Sequence, residues 1–240
     1  MKCSSCDHIV DRNYCSNCGR PNHLLRIDIK YILHEIGSAL SFKKGILFTI
    51  KELLIRPGKS VKSFILEDRN RLVKPIIFLI FCSFIYTILQ QLLHFEDVYY
   101  EDVYNEINSN SASFMIFNWV RNNYSYANIL SGIFMAIWLK ILFRKYDYKV
   151  FELIVLWLFI AGIGMLIYSA VGIIETFSGL RLFYVSGIIG LIYTCWAIGE
   201  FYGKRNFLNY LKALLSYVLG LLLFSVSAAI LGRTIDAIIN

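Results

Sequence analysis

The chain has 240 residues, 57% hydrophobic and 17% charged, where a soluble domain carries roughly 45–50% apolar and about 25% charged residues. That balance excludes a disordered chain, a coiled coil and an ordinary soluble enzyme. The net charge of +7 lies wholly in residues 1–74, which hold 14 Lys or Arg against 7 Asp or Glu; the rest of the chain is neutral.

Four of the six cysteines fall at the start, as Cys3, Cys6, Cys15 and Cys18 in the pattern C-x2-C-x8-C-x2-C, followed by Gly19. Each C-x2-C turn can aim two thiolates at one ion, and two such turns give a tetrahedral four-sulfur site that suits zinc. Gly19 can take the left-handed backbone that such a turn needs. A module of some 20 residues cannot fold on an apolar core alone, so the metal would supply the folding energy. Two disulfides are the alternative, and they require an oxidising compartment; an iron–sulfur cluster is the third choice. A closed four-sulfur shell leaves no open position for catalysis, so residues 1–22 read as a structural or partner-binding zinc ribbon.

Residues 23–74 are too charged to span a membrane and too long for a simple linker. Ile29, Ile32, Leu33, Ile36 and Leu40 follow helical spacing. A second apolar stripe runs through Ile46, Leu47, Ile50, Leu53 and Leu54, and Pro57-Gly58 breaks it. A third begins at Val61, Phe64 and Ile65 and ends near Glu67-Asp68. Lys51, Arg56, Lys59, Arg69 and Arg71 contribute a basic polar surface. Basic amphipathic helices beside a membrane span suggest interfacial helices on anionic lipid. The competing reading packs the same stripes onto the ends of the protein's own spans. Nucleic-acid binding is disfavoured, because the basic residues lie next to lipid.

Residues 75–240 are expected to form an all-α bundle of five spans: Pro75–Leu93, a weaker Tyr126–Phe143 containing Asn128 and Lys140, then Leu153–Ile174, Leu182–Gly199 and Ala213–Gly232. The last three hold no charged residue. A β-barrel would show alternating segments of about ten residues instead. Pro75 suits a first helical position, where a missing N–H is not needed. Loop charge orients the chain. The basic N-terminal part, the loop with Arg144, Lys145 and Lys149, and the loop with Lys204, Arg205 and Lys212 are assigned to the cytoplasm. The loop over 95–124, with Glu96, Asp97, Glu101, Asp102 and Glu106, is assigned outside, as is the C-terminus. The acids of that loop, with Tyr99, Tyr100, Val103, Tyr104 and Ile107 toward the membrane, read as a solvated helix face rather than a calcium loop. Lys140 lies about a turn from the inner end and can snorkel. No apolar signal segment precedes the first span, which is expected to insert uncleaved in an inner membrane.

In residues 1–90 the sequence resembles the uncharacterised bacterial membrane proteins called domain of unknown function 3667. The matching positions are Cys15, Cys18 and Gly19; Thr49, Leu53, Arg56, Pro57 and Gly58; and Arg69, Arg71 and Pro75. The resemblance implies an architecture: an N-terminal zinc ribbon, a T-x3-L-x3-P-G segment, a basic stretch and a proline opening the first span. It implies no activity.

The chain has no phosphate-binding glycine loop, no H-E-x2-H and no G-x-S-x-G. Glu152, Glu175 and Glu200 fall at span ends and read as interfacial carboxylates. Ser186 and Gly190, Ser216 and Gly220, and Ala228 and Gly232 stand four apart, a spacing that permits close helix approach, within the bundle in preference to between copies. These features favour a non-enzymatic adaptor or assembly factor whose ribbon holds a cytosolic protein partner. A transporter or lipid-handling protein is the alternative.

Overall fold

A computed structural model describes Cys6, residues 15–18 and 45–96, Tyr99, and residues 112–204 and 206–239. Cys3, the stripe over 29–40, Asp97, Glu101, Asp102, Glu106 and Arg205 lie outside the described residues. The described chain is helical, without strands. In order the helices are α1 (Ile46–Ile55), α2 (Pro57–Leu66), α3 (Pro75–Leu93), α4 (Ala112–Asn122), α5 (Tyr124–Leu142), α6 (Val150–Ser178), α7 (Phe183–Tyr202) and α8 (Phe207–Ile239).

Local chemistry sets several of these boundaries. Arg56 precedes a proline, which disfavours helical backbone at that position, and α1 ends there with Arg56 at φ −145°. Pro57 and Pro75 then open α2 and α3. α3 keeps the expected limits and closes on His94 in the left-handed conformation, φ 52°. The backbone N–H of Lys149 donates to Glu152 Oε2 at 2.8 Å, capping the start of α6. Gly179, at φ 69°, ends that helix.

Four helices are long and apolar enough to cross a membrane: α3, α6, α7 and α8. α5 corresponds to the weak second span. Its apolar stretch, Tyr126–Leu142, is shorter, yet it packs along α6 and α8. Lys140 turns its ammonium onto the Tyr148 carbonyl at 2.6 Å, which satisfies the charge at the end of the helix. Lys212 reaches the Leu142 carbonyl at 3.1 Å and so places a cation at the negative end of α5.

α6 is the hub and packs against α3, α5 and α7; α8 closes the bundle against α5 and α7. Phe78, Leu79, Met135, Leu139, Leu153, Leu156 and Phe159 are buried between them. The outward surfaces are also apolar: Ile76, Ile80 and Phe84 on α3, Ile188 and Ile192 on α7, and Leu222 and Ile230 on α8 are exposed. A soluble protein rarely shows contiguous apolar faces of this kind, and lipid is the solvent that suits them.

Two expectations need correction. The loop over 95–124 contains a helix, α4, which packs on α8. α6 and α8 are also longer than the expected spans, at 29 and 33 residues. At about 1.5 Å per residue α6 measures roughly 43 Å, against a hydrocarbon core of about 30 Å, so it projects or tilts.

Candidate functional site

Three places gather chemistry: the junction where α1 and α2 meet the bundle, the cysteine cluster, and a cavity inside the helices.

At the junction the second and third amphipathic stripes, in α1 and α2, pack onto the protein's own helices. α2 lies on α7 and touches α6, and α1 also touches α6. Phe64 meets Phe159 edge-on at 5.3 Å. The buried face of α1 is not the apolar stripe alone: it carries Ile46, Thr49, Glu52 and Leu53, while Leu47, Leu54 and Ile55 are exposed. Glu52 is only 6% exposed. Its Oε1 accepts from Arg56 Nη2 at 3.0 Å, and its Oε2 accepts from Arg71 Nη2 at 2.8 Å and from Ser60 Oγ at 3.2 Å. Burial pushes the Glu52 carboxyl up; the Arg56 hydrogen bond and the charges of Arg56 and Arg71 outweigh it and hold the group below its ordinary value. Thr49 Oγ1 donates to the Gly45 carbonyl and accepts the Val73 N–H, both at 3.1 Å. These bonds fasten α1, α2 and the segment leading into α3 to one another.

A second set of bonds fastens that unit to α7. The Gly58 N–H, at the start of α2, donates to Glu200 Oε2 at 3.0 Å, where the positive end of the helix favours a carboxylate. Lys204 Nζ stands 2.7 Å from Glu200 Oε1. The Tyr193 hydroxyl donates to the Leu53 carbonyl at 3.1 Å, satisfying an acceptor near the end of α1. A Cβ at position 58 would overlap the Phe201 nitrogen and sit 2.6 Å from the Ala197 carbonyl oxygen. Only glycine lets the two backbones approach this closely.

Of the basic residues expected at the surface, Lys51, Lys59 and Arg69 are exposed. Arg56 and Arg71 turn toward Glu52 instead, and Pro57 and Gly58 are buried as the hinge. Sequence reasoning missed Glu52. The available signal was an acid on the buried side of an amphipathic helix, four residues before an arginine. The three carboxylates at span ends are structural partners: Glu152 caps α6, Glu200 receives α2, and Glu175 accepts the Leu182 N–H and the Tyr99 hydroxyl, each at 2.9 Å. Glu96 departs from the solvated face expected of it, being 2% exposed. Gly220 serves packing within the chain, since a Cβ there would collide with Met135 Sδ.

Among the cysteines, Cys6, Cys15 and Cys18 bring their sulfurs within 4.8 Å of one another, with Cys6 and Cys15 at 3.6 Å. With zinc–sulfur bonds of about 2.3 Å, a tetrahedral site has sulfur–sulfur edges of about 3.8 Å. The three thiols therefore fit one ion. The backbone N–H groups of Cys18 and Asn17 favour the Cys15 thiolate and lower its pKa. Cys82 and Cys195 lie apart, in α3 and α7.

The cavity, about 300 Å³, is lined mainly by α5, α6, α7 and α8, with Tyr86 of α3, Val120 of α4 and Glu96 at its margin. Its wall includes Glu96, Asn128, Ser131, Trp157, Tyr168 and Tyr217. Trp157 Nε1 donates to the Asn128 carbonyl at 3.0 Å and to Ser131 Oγ at 3.2 Å, which fixes the indole.

Residues 44–87 match the model of a family described as Protein of unknown function (DUF3667). That segment runs from α1 through most of α3, without the α7 side of the junction, and bears out the resemblance read from Thr49, Leu53, Pro57, Gly58 and Pro75. No curated protein and no solved structure matches the chain.

Proposed function

We propose that this protein is a multi-pass inner-membrane adaptor or assembly factor with a cytosolic, structural zinc site. α5 joins the four longer helices as the second of five crossings, with the N-terminus in the cytoplasm and the C-terminus outside. Cys3, Cys6, Cys15 and Cys18 hold Zn2+ and form a ribbon that binds a cytosolic protein. The exposed Leu47, Leu54 and Ile55 beside Lys51, with Lys59 and Arg69, rest on anionic lipid. The observation that carries this reading is the fastening of α1 and α2 to one another through Glu52 and to α7 through Gly58 and Glu200. A module joined to so firm a base is held at a set place on the membrane surface, as an adaptor requires.

The test is a comparison of wild type with the Cys3→Ser/Cys15→Ser double variant in native membranes. The expected result is one zinc per wild-type chain, none in the variant, unchanged insertion, and a cross-linked cytosolic protein lost together with the metal. A partner retained without zinc, or zinc without any partner, would overturn the adaptor reading.

A second reading, as a lipid-handling protein or transporter, draws on the cavity. A helical bundle sealed only by packing has no need of a void of this size.

A further inference from the structure

We propose that the cavity is a binding site for a membrane-soluble amphiphile whose head group is uncharged and bears a hydroxyl. The proposal rests on the second reading for the chain's place in lipid and goes further in naming the ligand's chemistry.

The first argument is Gly164. Glycine in a helix interior costs stability relative to alanine, and in this bundle the cost is usually offset by a close contact. A Cβ at Gly162 would meet the Phe78 ring at 2.7 Å, and one at Gly172 would meet the Phe95 ring at 2.7 Å. At Gly164 a Cβ would meet nothing within 4 Å. This glycine admits no neighbour; it widens the cavity that it lines.

The second argument is the pair of phenols. Tyr168 and Tyr217 line the same space. Their rings are held by aromatic neighbours, Tyr168 against Phe183 at 6.0 Å and Tyr217 against Trp157 at 6.2 Å. Among the described residues neither hydroxyl has a hydrogen-bond partner. Polar groups inside a protein are nearly always bonded, and in a membrane bundle bulk water does not stand in. Two hydroxyls without a partner among the described residues, on side chains that line one space, offer a place for a ligand group that both donates and accepts.

The third argument is charge. Among the described residues no Lys or Arg lines the cavity, and Glu96 borders it. An anionic head group would face a carboxylate with no cation among those residues to offset the repulsion. Glu96 is already engaged within the protein, so it does not call for a ligand cation. An uncharged hydroxyl fits both facts. The volume stands at the lower end of ligand pockets, about 300–1,000 Å³, which suits one slender apolar chain and a small head.

The experiment uses the full chain in nanodiscs and three photoreactive probes of equal chain length: dodecanol, dodecyl phosphate and dodecane, each with a diazirine at mid-chain. Cross-linked residues are read by mass spectrometry. The expected result is saturable labelling of the cavity wall by the dodecanol probe, at least tenfold above dodecyl phosphate. Gly164→Leu, which fills the space, should lower that labelling tenfold. Tyr168→Phe/Tyr217→Phe keeps the shape and removes both hydroxyls; it should lower dodecanol labelling several-fold and leave dodecane labelling unchanged. This double variant decides the matter even where Gly164→Leu fails to fold. Equal labelling by alcohol and phosphate, or no response to the Tyr→Phe pair, would overturn the proposal. Passage of dodecanol across liposomes is scored separately. Labelling without passage would keep the site and end the transporter reading; passage without labelling would do the reverse.

Discussion

The junction and the cavity are built from similar residues to opposite ends. At the junction buried polar side chains are held by neighbours: Glu52 meets two arginines and a serine, Thr49 meets two backbone groups, and Glu200 accepts from Gly58 through one oxygen and pairs by charge alone with Lys204 through the other. In the cavity the hydroxyls of Tyr168 and Tyr217 have no hydrogen-bond partner among the described residues. Glycine follows the same division, since Gly58 is pressed against the α7 backbone and Gly164 faces open space. Closed networks hold elements in place; open ones are where something else can bind. The segment that matches the family model, residues 44–87, supplies the α1, α2 and α3 side of the closed network, and α7 supplies the other side.

The largest expected effect lies at Gly58. Gly58→Ala must push α2 off α7, because the atoms it meets are backbone. We expect a loss of about 3 kcal/mol, as for overpacked cores, seen as faster hydrogen exchange throughout α1 and α2. Gly164→Leu is the opposing case: its melting temperature should equal or exceed that of wild type, since the added side chain fills a void. Similar losses from both substitutions would abolish the contrast.

Next in size is the Glu52 network. Arg71→Ala should cost about 1–3 kcal/mol, the range of a hydrogen bond to a charged group, reduced because Arg71 is partly exposed. Glu52→Gln should cost a similar amount, and the double variant less than the sum, because both remove one interaction. Additive losses would show that the two residues act apart.

The smallest effect concerns pH. The Glu52 carboxyl is held below its ordinary value in the folded protein, so its ionised form stabilises the junction above the ordinary glutamate pKa of about 4.3. That contribution should fade as pH drops below this value toward the folded pKa. Exchange protection of α1 and α2 measured from pH 6 to pH 3 should fall in wild type and stay flatter in Glu52→Gln.

The sequence by itself determined what neighbours along the chain determine. The Pro57 break, the start of α3 at Pro75 and its end before His94 were legible, because proline geometry and the change from apolar to polar residues act locally. So were the apolar spans, whose length and lack of charge reflect the solvent around them. The start of α8 at Phe207 instead of Ala213, and the helix α4 within an apparent loop, depended on surfaces that other helices present. Tertiary structure alone decided that Glu52 is buried, that Gly58 meets Glu200 across 142 positions, and that Gly164, Tyr168 and Tyr217 line one space. A carboxylate on a helix reads as solvated until its cations are placed, and a void has no residue of its own to announce it.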